Sequence, residues 1–190
     1  MRHDRFACLL ALLFAALLAL APSLTLADAS GGTGPRNMVR AEGQASGHLV
    51  VRGNVQINTI NSPQVEPVNE AYAHGNCDGC VTLAVALQLD LYNPSATTVS
   101  PQNEAFAINE ACNGCTTVAV ACQVVRPVDD PGTLPSAERD LVQQMNHELT
   151  EVQSDPSISL DAAVSQVVAV IHQYEQRTGT PCLQQNRASN

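Results

Sequence analysis

The chain has 190 residues, 18 acidic side chains against 9 arginines and no lysine, and a formal net charge of −9. An acidic, lysine-free chain with no Trp and no basic run lacks the footprint of a nucleic-acid binder and of a surface for anionic lipid. Its length suits one folded domain.

Residues 1–29 read as a secretory signal peptide. Arg2, His3 and Arg5 precede an apolar run from Phe6 to Ala21, and Ala27-Asp28-Ala29 offers a small-residue cleavage site, with cleavage after Ala27 the near alternative. The run falls short of the roughly 20 residues a spanning helix needs, and Cys8 leaves with it. The mature chain is expected to be secreted, extracellular and without a membrane span. Residues 30–47, rich in Gly and Ser, read as a flexible leader. Leu49, Val51, Val55 and Ile57 alternate next and predict an N-terminal strand, followed at 61–67 by a Pro-bearing turn.

The strongest signal is an internal repeat, spanning 69–92 and 103–126. Asn69-Glu70-Ala71-Tyr72-Ala73, Cys77-Asp78-Gly79-Cys80, Thr82, Ala84-Val85-Ala86 and Gln88 return as Asn103-Glu104-Ala105-Phe106-Ala107, Cys112-Asn113-Gly114-Cys115, Thr117, Ala119-Val120-Ala121 and Gln123. Asp-Gly and Asn-Gly between alternating segments predict type I′ hairpin turns, which need positive φ at both central residues. Paired outward from the turn, Cys77 opposes Cys80, Ala73 opposes Ala84, Ala71 opposes Ala86 and Asn69 opposes Gln88, with Tyr72 against Val85 on the other face. The second copy carries one extra residue, expected as a β-bulge near 108–110. Leu83, Val85, Leu87, Leu89 and Leu91 share a large face. The Thr, Ala, Ala and Gln of each copy share a small one, and alanine there implies that another backbone approaches closely. Residues 93–102 link the two copies.

This string, N-E-A-[FY]-A … C-x-x-C-x-T-x-A-V-A-x-Q, resembles a motif of uncharacterised exported bacterial proteins, over residues 69–125 only. Related segments accompany genes for membrane zinc peptidases. The resemblance implies a secreted bacterial origin and no activity. No H-E-x-x-H is present, so a peptidase role does not carry over.

Beyond Cys8 the cysteines are Cys77, Cys80, Cys112, Cys115, Cys122 and Cys182, an even set in an exported chain, which favours disulfides. Residues facing across a tight hairpin lie within bridging distance, so Cys77–Cys80 and Cys112–Cys115 are the natural pairs, leaving Cys122–Cys182 by elimination. The long loop that this last pair closes is worth about 4 kcal/mol by chain entropy, against about 2 for each short clip. The rival readings are a four-thiolate zinc site and a thiol redox centre. Export and the absence of knuckle residues weigh against the first, and strand-like alternation after the second cysteine weighs against the other.

After Asp129-Asp130-Pro131-Gly132 the period changes. Leu141, Met145, Leu149 and Val152 predict one amphipathic helix starting at Pro135-Ser136, and Leu160, Val164, Val167, Val168 and Ile171 a second, closed by Gly179. The pair, within 129–182, is expected to cover the large face of the sheet, tied by Cys182, with 183–190 a tail. His147, Glu148 and Glu151 form a broken H-E-x-x-H that reads better as a solvated helix face, and His172 reads as a boundary residue. Glu70 and Glu104 could serve acid–base work, yet each sits at a strand start where a solvated role costs less. The repeated polar pairs Asn69 with Gln88 and Asn103 with Gln123 read as hydrogen-bonding the sheet end, or as a ligand contact.

The sequence thus predicts an α+β fold: an antiparallel sheet over 48–128, built from two duplicated disulfide-clipped β-hairpins plus an N-terminal strand, under a two-helix layer. It implies a non-enzymatic structural or binding module with no catalytic residue, no metal and no cofactor. Its partner would be an unknown protein or cell-surface molecule, or a second copy of the chain. The alternative is a thiol/disulfide redox or metal-binding protein working through the two CxGC motifs.

Overall fold

The computed structural model of the protein describes residues 34–43 and 45–189, so the signal peptide expected at 1–29 lies outside the described residues. Alternating segments give β1 (Arg36–Glu42), β2 (Leu49–Ile60), β4 (Val68–Gly75), β5 (Val81–Tyr92), β7 (Gln102–Asn109) and β8 (Thr116–Pro127). The two-residue strands β3 (Gln64–Val65) and β6 (Thr98–Val99) lie between them, followed by α1 (Ser136–Ser154), α2 (Leu160–Thr178) and β9 (Leu183–Ser189). The class is α+β, but the strands are not arranged as hairpins. β1, β4 and β7 form one parallel sheet; β2, β5 and β8 form a second, closed at its end by antiparallel β9; β3 and β6 make a short third side.

The chain therefore coils, each turn stacking on the last. Strands β4 and β5 belong to different sheets, and each pairs with its equivalent in the next turn: Asn69 beside Asn103, Ala71 beside Ala105, Gln88 beside Gln123. This corrects the antiparallel hairpin. The backbone at the turns shows why. Gly79 and Gly114 have φ of 66° and 67°, while Asp78 and Asn113 stay outside the left-handed region, so the doubly positive type I′ geometry is absent. The chain rounds a corner instead of reversing. The corners themselves stack, Gly79 N donating to Asn113 O (2.8 Å) and Asn113 N to Asp78 Oδ1 (2.8 Å). The extra residue of the second copy sits in the later corner, where Ala111 takes a φ of 50°, and not in a strand bulge.

Both faces of the strands nonetheless carry what the alternation assigns to them. The small face becomes the interior between the two sheets, where Ala41, Ala71, Ala73, Ala84, Ala86, Ala105, Ala119 and Ala121 pack against one another. Alanine in place of larger side chains lets two backbones approach closely. The large face of the second sheet meets the helices: Val51, Val55, Leu83, Val85, Leu87, Leu89, Leu91, Val120 and Val124 share one core with Leu141, Met145, Leu149, Val152, Val167, Ile171 and Tyr174. Tyr72, expected opposite Val85, lies on the outer face of the first sheet.

The helices form where the period predicts. Ser159 caps α2 by accepting from Ala162 N, and Gly179 ends it in the left-handed region. Gln144 donates to Gln173 (3.1 Å), and the start of α1 (Ala137, Glu138, Leu141) lines one hollow with the end of α2 (Arg177, Thr178), as an antiparallel pair requires.

Three further segments depart from expectation. The leader contains β1, which enters the stack in register, Asn37 beside Asn69 and Ala41 beside Ala73. The linkers 61–67 and 93–102 contain β3 and β6, and the tail is β9, paired along β8 from Thr117–Ser189 to Gln123–Leu183. The first turn was hidden because it lacks cysteines; Gly43 stands near the Cys77–Cys80 pair, and a Cβ there would fall on Cys80 Sγ and Cβ.

The two sides of β5 should answer oppositely to size. Ala86→Leu between the sheets should cost about 1–3 kcal/mol by overpacking, and Leu87→Ala under the helices about 2–5 kcal/mol by leaving a cavity. Urea midpoints of the two variants check both.

Candidate functional site

Stacking identical turns places identical polar side chains in columns. Asn37 Nδ2 donates to Asn69 Oδ1 (2.9 Å), and Asn69 Nδ2 to Asn103 Oδ1 (2.7 Å). Each amide also reaches across to the facing sheet: Asn37 to Leu87 O (3.0 Å), Asn69 to Ala86 O (2.9 Å) and Asn103 to Ala121 O (3.1 Å) and Leu183 O. A second column joins Gln123 Nε2 to Gln88 Oε1 (3.0 Å), with Gln88 and Gln123 also reaching the carbonyls of Pro35 and Pro67. The pairs expected from the sequence, Asn69 with Gln88 and Asn103 with Gln123, therefore do not bond to each other. Each residue bonds along its own column, because the equivalent positions of successive turns are neighbours.

Asn37 was missed, although Asn37-x-Val39-x-Ala41 repeats the Asn69-x-Ala71-x-Ala73 spacing and carries the signal. Asp90 lies two residues beyond Gln88, on the same face of β5. It is fully buried, accepting from Asn58 Nδ2 (2.7 Å) and Gln123 Nε2 (3.2 Å). Burial raises its pKa to about 6, an effect these two donors oppose. Tyr174, on α2, is also buried; its hydroxyl has no hydrogen-bond partner, and burial together with nearby Asp90 pushes its pKa up.

The cysteines come together as three pairs in disulfide range, with Cα separations of 5.4 Å for Cys77–Cys80, 6.2 Å for Cys112–Cys115 and 5.4 Å for Cys122–Cys182. The first two occupy successive corners. In each, the leading cysteine is half-buried and the following one, Cys80 or Cys115, is buried. Among the described residues, no group of three or more His, Cys, Asp or Glu side chains is arranged to hold a metal ion. His147 and Glu151 are exposed and pair with each other (3.4 Å), and His172 is exposed beside Glu175 (3.5 Å).

The outer face of the first sheet gathers the remaining candidates. Its rows run Met38–Glu70–Glu104, Arg40–Tyr72–Phe106 and Glu42–His74–Ile108 across the three strands. Arg40 lies over the Tyr72 ring at 4.4 Å, and His74 meets Glu110 at 3.2 Å. The two glutamates are neighbours on the outer face, Glu70 half-buried and Glu104 exposed. Met38 is 58% exposed and Phe106 and Ile108 are each 40% exposed, whereas the outer face of the second sheet lies beneath both helices. No protein-family model, no curated protein and no solved structure matches the chain.

Two substitutions probe the columns. Asn69→Ala should cost about 2–4 kcal/mol, since it removes donors to two buried carbonyls and strands both neighbouring asparagines. Asp90 is protonated more readily folded than unfolded, so its favourable contribution is complete below pH 4 and disappears as pH rises through about 6. The stability of Asp90→Asn relative to the parent should therefore climb by about 2 kcal/mol between pH 4 and 7, read from urea unfolding at each pH.

Proposed function

We propose that the chain is a secreted, non-enzymatic structural or binding module, presenting a stacked sheet to a protein or cell-surface partner. The observation that carries this reading is the inequality of the two outer faces. Two helices bury one, while the other leaves Met38, Phe106 and Ile108 beside a ring–guanidinium pair at the surface. Exposed apolar side chains interleaved with aromatic and charged ones on an uncovered sheet face suit an interaction surface, and stacked-turn proteins present such faces for binding. The N-terminal charged and apolar runs support export, and the cysteine pairs suit an oxidising compartment.

A second reading keeps one specific support. Cys77 and Cys112 are partly accessible while their partners are buried, the arrangement a thiol–disulfide exchange centre uses.

Thiol titration of the denatured, unreduced protein separates the two, combined with the native intact mass. The module reading expects no titratable thiol, no metal adduct and a mass shift only on reduction. Free thiols at Cys77 and Cys80, or at Cys112 and Cys115, or a retained zinc ion, would transfer support to the redox or metal reading.

A further inference from the structure

The last turn of the stack is covered in one sheet only. In the second sheet β9 covers the last strand, β8, but in the first sheet nothing among the described residues pairs with the free side of β7. Gln102 N donates to Pro67 O and Glu110 N to Gly75 O, so the even-numbered amides of β7 face β4. The alternation of a strand then turns the N–H and C=O of Ala105 and Ala107 toward the open edge. Opposite that edge, Leu183, Gln185 and Arg187 pair with Gln123, Ala121 and Ala119, all inward-facing, so β9 directs these three side chains toward the missing position. They stay exposed, Leu183 at 51%, because no strand faces them. The surface groove between the two elements is lined by Glu104, Ala105, Phe106, Ile108, Gln185 and Arg187, with Glu104 on the outward side of β7.

We propose that this edge is a strand-addition site for one extended peptide of a partner protein, with small inward side chains and a carboxylate to meet Arg187. The proposal deepens the module reading and rests on it. β9 already fills the place that the second sheet of a further turn would need, so the vacancy takes a single strand and not a second copy stacked on the end. Inward residues must be small because they continue the alanine columns of Ala105 and Ala107. Arg187 makes no ion pair among the described residues and stands on the inward side, whereas the groove's carboxylate, Glu104, belongs to the outward row, so Arg187 supplies the charge preference for inward side chains. Main-chain hydrogen bonds to Ala105 and Ala107 supply affinity, and the alternate side chains supply selection.

The test uses the oxidised chain and a fluorescein-labelled peptide, Thr-Ala-Thr-Asp-Thr-Ala-Thr, beside a twin with Lys for Asp, titrated to about 1 mM. Anisotropy should saturate with the acidic peptide and be at least about tenfold weaker with the basic one, and Arg187→Glu should reverse that order. Hydrogen exchange on binding should slow the Ala105 and Ala107 amides and leave Phe106, already bonded to β4, unchanged. Equal binding of both peptides, no binding, or protection elsewhere overturns the edge assignment. So does a free chain that sediments as a dimer with Ala105 and Ala107 already protected, since the occupant is then a second copy. Each of these leaves the module reading to stand or fall on the thiol and mass measurement.

Discussion

Close approach of two sheets through alanine is the constraint on which the other features depend. With Ala71, Ala73, Ala84, Ala86, Ala119 and Ala121 fully buried between them, the two sheets come near enough for an asparagine on one to reach a main-chain carbonyl on the other. Asn69 does this twice, to Ala86 O at 2.9 Å and to Cys122 O at 3.3 Å. Larger inward side chains would lift the sheets apart and break these bonds, leaving buried amides unsatisfied. The polar columns and the alanine columns are therefore one device, and its register is set by hydrogen bonds that only the right stacking can make.

That device yields a molecule with two unlike sides. Behind the second sheet, Leu83 to Leu91 and two helices build an ordinary aliphatic core, and the Arg126–Glu138 pair at 2.6 Å ties α1 to β8. Cys182, immediately before β9, lies within disulfide range of Cys122 on β8, so the closing strand is held where α2 delivers it. The first sheet receives no such cover. Its inner face is satisfied by the columns, and among the described residues its outer face is open and its last edge unpaired.

Much of this was legible in residue order. The helices were predictable from Leu141–Met145–Leu149 and Val164–Val167–Ile171, because amphipathic period and caps are local properties. The division of β5 into an alanine face and a leucine face was equally local. β1 and β9 were not, since neither carries a large-residue face: Arg36–Glu42 looks like leader, and Leu183–Ser189 is short, polar and exposed until a neighbour defines it. The site residues divide in the same way. Asn69, Gln88, Asn103 and Gln123 stood out by repetition, whereas Asp90 and Arg187 acquire meaning only from what lies opposite them.

Alternation, capping residues, the recurrence of the C-x-G-C units and the placement of small against large side chains were determined by the sequence alone, because each depends on a residue and its near neighbours. Tertiary structure decided which strand lies beside which. Alternation is the same in parallel and antiparallel strands, and an Asp-Gly step permits a corner as well as a reversal. The choice fell to interactions between residues more than thirty positions apart, in which asparagine on asparagine, glutamine on glutamine and alanine against alanine satisfy at once what a folded-back hairpin would leave exposed.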